Sequence, residues 1–123
     1  MTRLEGMVVK GWGCEKIFAT NDLYCGKMLC FNKGSKFSMH FHKEKDETWL
    51  VTEGKFEVLK INTKDASVTS EILVPGSVYR NLPLEPHQLI CLEEGTIIEV
   101  STPDSVEDNY RVLPGDSQGL SSL

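Results

Sequence analysis

Residues 34–54 read GSKFSMHFHKEKDETWLVTEG, and the reading of this stretch decides the fold. His40 and His42 flank Phe41, Glu47 follows five residues after His42, and the third histidine of the chain, His87, stands far downstream beside Pro86. Side chains alternate along a strand, so His40 and His42 share one face with Ser38, their Cα atoms about 6.6 Å apart. Imidazole is the commonest protein ligand for a borderline divalent metal, and three nitrogens plus a carboxylate make a nearly complete shell. Two rings leaning inward from such positions reach one ion at the roughly 2.0–2.1 Å typical of zinc–nitrogen bonds. Glu47 comes after the polar turn Lys43–Asp46, where the chain reverses, and so returns on the neighbouring strand. His87 arrives from across the fold, which makes the site depend on tertiary closure.

Outward from this stretch, helical periodicity is hard to find, and short runs rich in β-branched and aromatic residues recur between turn signals. The expected strands are Glu15–Ala19, Lys27–Phe31, Lys36–His42, Glu47–Thr52, Lys55–Ile61, Val68–Val74, Gln88–Leu92 and Thr96–Ser101, with turns at Asn32–Gly34, Glu53-Gly54, Asn62–Asp65, Pro75-Gly76 and Glu93–Gly95. This is an all-β pattern, a jelly roll or small barrel. Trp49 and Val51 share the parity of Glu47, and Leu89 and Cys91 that of His87, so all four are expected along the cavity. Lys43, Glu44, Lys45 and Asp46 read as a solvated rim. The opposite face of the first ligand strand carries Phe37, Met39 and Phe41, which need cover from either the N-terminal segment or another subunit; the expectation is a homodimer packed over that sheet.

A chain of 123 residues with 40% hydrophobic and 25% charged residues is one globular domain, and its net charge of -5 gives no footprint for nucleic acid. It has no apolar run long enough for a signal peptide or a membrane span, so a cytoplasmic protein without a membrane partner is expected. Cys14, Cys25, Cys30 and Cys91 lack metal-type spacing and read as reduced thiols.

The positions of Gly34, His40, His42, Glu47 and Gly54 resemble the first motif of the cupin superfamily at each anchoring point, and Pro75-Gly76 with Pro86-His87 resembles the second. The asparagine usual after the last histidine is absent. The resemblance covers about Gly13 to Ser101. It implies a double-stranded β-helix, a jelly-roll barrel, with 1–123 as a single cupin domain, a core of about 13–101 and a polar tail of about 115–123. It also implies that His40, His42, Glu47 and His87 hold one divalent metal ion, with Zn, Mn, Fe, Ni and Co all open.

Within that superfamily, Ser38 to Gly54, and Ile98-Glu99-Val100 followed by Glu107-Asp108-Asn109-Tyr110-Arg111, are similar to the cupin domain of type II mannose-6-phosphate isomerase. That family typically has glutamine at the position of His40 and a pocket arginine at that of Lys45. The resemblance implies aldose–ketose interconversion of a sugar or sugar phosphate, with Glu99 first and Lys27 second as candidates for the proton shuttle, and Trp49, Tyr79 and Arg111 as candidate substrate contacts. Each has an alternative: Glu99 as an outward-facing polar residue, Lys27 as a surface lysine, Tyr79 and Arg80 as structural residues at a strand end, and Arg111 as a partner for Asp104, Glu107 or Asp108. An iron-dependent dioxygenase and a non-catalytic small-molecule binder are the competing functions.

Overall fold

The computed structural model describes residues 6–105 and 107–118. Among them run nine strands: β1 (Gly6–Lys10), β2 (Gly13–Thr20), β3 (Cys25–Phe31), β4 (Met39–Phe41), β5 (Glu47–Ile61), β6 (Val68–Leu73), β7 (Val78–Asn81), β8 (His87–Ser101) and β9 (Tyr110–Leu113), followed by a short 3-10 turn at Asp116–Gln118. All strand pairings are antiparallel. The architecture is the expected all-β jelly roll. The tail's last five residues, 119–123, and the first five of the chain lie outside the described residues.

The two long strands, β5 and β8, are the frame. Their later and earlier halves pair with one another, while the far half of β8 also carries β3 and its near half carries β4. Four runs expected as separate strands are therefore two, and the turn signals at Glu53-Gly54 and Glu93–Gly95 are corners inside them. The register shifts between Val51 and Phe56 mark the corner. It can bend because two glycines cross there: a Cβ on Gly95 would lie 2.1 Å from the Glu53 carbonyl oxygen, and one on Gly54, at φ +83°, 2.6 Å from that of Glu93. Gly-rich local sequence thus bends a sheet without ending a strand.

The core gathers Trp12, Leu29, Phe31, Phe37, Trp49, Val51, Phe56, Val58, Leu73, Leu89, Cys91 and Ile97. Trp12 stacks on Phe31 at 4.5 Å between centroids, and Phe31 meets Phe56 edge-on at 5.3 Å, so aromatic surface fills the space between the two halves. Val51, Leu89 and Cys91, expected to line the cavity, are instead packed into this core. All four cysteines are free thiols. Among the described residues, no helix is long and apolar enough to cross a membrane.

The segment expected as one strand over Lys36–His42 is regular only at Met39–Phe41, with a single bridge from Lys36 to Ile90. The break turns Phe37 inward, where its ring packs 5.8 Å from Trp49 and 5.0 Å from His40. Met39 is buried and registers with Leu113; Phe41 stacks on Tyr110 at 5.2 Å. The apolar side of the ligand strand is therefore covered by β9 of the same chain, which removes the reason for placing a second subunit over Phe37, Met39 and Phe41.

Candidate metal centre

β4 supplies His40, the residue after it is His42, and His87 opens β8 directly opposite His40 in the register. Their ligand nitrogens all lie within 4.8 Å of one another. Each ring is held by its other nitrogen: Nδ1 of His40 contacts the Ser38 carbonyl at 2.8 Å, Nδ1 of His42 that of Asp108 at 2.5 Å, and Nδ1 of His87 that of Glu85 at 2.9 Å. A carbonyl oxygen only accepts, so Nδ1 carries a proton in all three rings, and Nε2 is the ligand atom of the neutral imidazole. Burial, reinforced by the neighbouring imidazoles, pushes His40 down to about 3, and burial lowers His42 as well. Neutral imidazoles turned this way are the ligand form.

Glu47, the first residue of β5, places Oε1 2.9 Å from His87 Nε2. The contact is short but not aligned as a hydrogen bond, and His87 Nε2 is buried without a hydrogen-bond partner. Two lone-pair atoms facing each other in a dry site are stabilised by a shared cation, and the donor set suits a divalent metal. Burial opposes ionisation of Glu47, but the Lys45 ammonium beside its other oxygen holds the carboxyl well below the usual range.

Beside the histidines is a buried charge network. Lys45 Nζ lies 3.3 Å from Glu47 Oε2, 3.1 Å from Glu99 Oε2 and 3.2 Å from Asp104 Oδ1. Burial alone would lower this lysine; Glu99, Glu47 and Asp104 together raise it. Glu99 accepts the Trp49 indole N–H at 3.1 Å on its other oxygen. Its burial, with Glu47 nearby, pushes its carboxyl up to about 8 against the opposing pull of Lys45. Lys27 reaches Asp104 at 2.6 Å and Glu15 at 3.6 Å. His40, His42 and the network share one cavity of about 410 Å³, whose apolar wall includes Trp12, Leu29, Phe37 and Trp49.

No family model matches the chain, and neither does any curated protein sequence. Solved structures do resemble it. KdgF from Halomonas sp. superposes with a TM-score of 0.66 at 21% identity, over 76% of this chain and 81% of that one. CapF, a capsular polysaccharide assembling protein from Staphylococcus aureus, gives 0.75 at 17%, over 88% of this chain and 32% of its own. Oxalate decarboxylase from Lactobacillus farciminis gives 0.75 at 16%, over 87% and 33%. The chain has the cupin fold. It spans most of KdgF but about a third of the other two proteins. These neighbours show the cupin fold and leave the finer likeness to mannose-6-phosphate isomerase resting on sequence motifs alone.

The cupin cavity takes in most of the expected site residues. Glu99 and Lys27 line it and are buried, so neither is the outward-facing or surface residue of the alternative reading. Trp49 lines it too, its ring edge-on to His87 at 5.7 Å. Arg111 lines it and is exposed; among the described residues it forms no ion pair with Asp104, Glu107 or Asp108. Tyr79 is not brought to the cavity wall. It stacks behind Trp49 at 6.0 Å, beneath Lys60, while Arg80 grips Asp46 on the surface.

Lys45 is the main correction, being buried at the centre of the network rather than part of a solvated rim. Its parity with Glu47 and Trp49 is the signal that could have found it. Asp104 and Glu15 were also missed, and no local pattern marks them. Asp108 has a double role: its carboxylate accepts the N–H groups of Lys43, Glu44 and Lys45 at 2.7, 3.1 and 3.0 Å, while its carbonyl orients His42.

Proposed function

We propose that this cupin is a metal-dependent isomerase that interconverts an aldose and a ketose, as free sugars or as their phosphates. The reading rests on one observation above all: Glu99, a buried carboxyl raised to about 8, faces the same cavity as His40 and His42, whose ligand nitrogens cluster with that of His87. His40, His42 and His87 would hold the ion, with Glu47 as the fourth ligand. A metal there supplies Lewis-acid polarisation of adjacent carbonyl and hydroxyl oxygens.

The chain's own groups do the remaining work. Ionised Glu99 takes the proton from the hydroxyl-bearing carbon beside the carbonyl and returns it to the carbonyl carbon, while the proton of that hydroxyl passes to the former carbonyl oxygen, a task suited to a base whose pKa lies near the working pH. Trp49 N–H and Lys45 ammonium fix its two oxygens, so the carboxylate is aimed before substrate arrives. Glu99, Glu15 and Asp104 keep Lys27 protonated even though burial works against it, so Lys27 positions Asp104 and does not act as the base. Arg111, on the cavity wall, offers its guanidinium to hydroxyl or phosphate oxygens.

The test is solvent deuterium incorporation at C2 across pentoses, hexoses and their phosphates, with protein loaded separately with Zn, Mn, Fe, Ni and Co. Exchange is expected with at least one sugar, and Glu99→Gln should abolish it while retaining bound metal. An absence of exchange across the panel would refute the isomerase. Substrate-dependent oxygen uptake by the iron form would establish the dioxygenase in its place, and saturable sugar binding without turnover the non-catalytic binder.

A further inference from the structure

Among the described residues, β1 pairs only with β2, so one edge of the sheet is open there. Natural edge strands are usually guarded by charge, proline or a covering segment. β1 reads GMVVK; its one charge is at its end, and Met7, Val8 and Val9 are 63%, 40% and 76% exposed. Strand alternation fixes which backbone groups are free. Asn32 N–H donates to the Trp12 carbonyl, which makes Cys14–Cys30 a bonded pair, Val9–Cys14 an unbonded one and Val8–Glu15 bonded again. The N–H and C=O groups of Met7 and Val9 therefore point away from β2.

We propose that β1 pairs antiparallel with β1 of a second copy of this chain, across a two-fold axis through Val8. In that register Met7 of each copy faces Val9 of the other, and each such pair exchanges both backbone hydrogen bonds, satisfying every open group of the two residues. Val8 faces its own counterpart at the close, unbonded spacing of about 4.5 Å between Cα atoms. Lys10 falls opposite Gly6, so no like charges meet, although each chain carries a net charge of -5. The strand is thus self-complementary, as an isologous interface requires, and this singles out a second copy over an unrelated partner. Val8 and Lys10 also line the cavity, so the partner's Val8 joins its rim. The inference is independent of the catalytic reading.

Sedimentation of the full chain at about 100 μM should give twice the 13.8 kDa chain mass. Val9→Pro removes an outward N–H and leaves the β1–β2 bonds intact, so it should yield a monomer with an unchanged far-ultraviolet spectrum. Met7→Lys with Val9→Lys should do the same through edge charge, and it guards against disruption by proline. Val8→Cys should form an interchain disulfide with diamide, which takes up the two electrons and two protons, whereas Met7→Cys and Val9→Cys should stay at the wild-type background. A monomeric wild type, a dimer that survives both edge variants, or crosslinking at Met7 or Val9 in place of Val8 would overturn the proposal.

Discussion

Replacing Lys45 with Met tests the buried network most directly. The ammonium sits 3.1–3.3 Å from three carboxylates, and Glu47 and Glu99 are almost fully enclosed. Asp104 is more than a third exposed, so water takes over its share of the lost attraction and it contributes little. Removing one partner from a buried ionic cluster costs about 3–5 kcal/mol, because the remaining charges lose their compensation. For a chain of this size that is a fall in Tm on the order of 10–20 °C. The loss depends on pH. Glu99 already has its carboxyl raised to about 8, above the unfolded value of 4.5, so the folded state binds its proton more tightly and the associated stability, present below 4.5, is lost as pH rises through 8. Without Lys45 the folded-state affinity for that proton increases further. Thermal melts of metal-free Lys45→Met should therefore show a smaller deficit near pH 6, where Glu99 is protonated and Glu47 alone loses its neutralising partner, than near pH 9. Equal deficits at both pH values, or none, would show that Lys45 does not neutralise this cluster.

Removing His42 with alanine should reduce metal content below a tenth of wild type by elemental analysis, and chelator should then leave the variant's melting temperature unchanged while lowering that of metal-loaded wild type. Gly95→Ala forces a methyl to 2.1 Å from a carbonyl oxygen at the corner of β5 and β8; a loss of several kcal/mol is expected in urea unfolding, whereas Gly76→Ala, in open space but at φ +92°, should cost about 1–2 kcal/mol from backbone strain alone. If Glu99 is the base, kcat/KM for the isomerised sugar should rise with pH and level off above about 8, since the ionised form is the active one; a profile flat from pH 6 to 9 would exclude it.

The candidate metal-ligating residues were legible because strand alternation makes i and i+2 neighbours on one face, and His40 and His42 need only that rule to converge. His87 and Glu47 were reachable only through motif spacing, since their meeting depends on closure of the barrel. Lys45 shares the parity of Glu47 and Trp49, but treating Lys43 to Asp46 as one polar turn concealed the strand phase that already operates within it. Gly54 and Gly95 misled for a different reason: the conformations that end a hairpin also serve a corner, and local sequence does not say whether the chain reverses or merely bends. β7 and β9 went unseen because most of their side chains are exposed, leaving no alternation of apolar and polar residues to detect. Asp104 and Glu15 became network members only through tertiary packing.

Asp108, in the connection between β8 and β9, seats both the turn at 43–45 and the ring of His42. Ion capture and docking of that returning segment are consequently two faces of one equilibrium, each strengthening the other by the same factor. Amide exchange at residues 110–113 should slow when zinc is added, and unchanged rates would disconnect the two. A fragment trimmed after Ser101 would lose both the Asp108 carbonyl that orients His42 and the strand that pairs with His40, so the working boundary of this domain lies past the point where its repeating motifs stop.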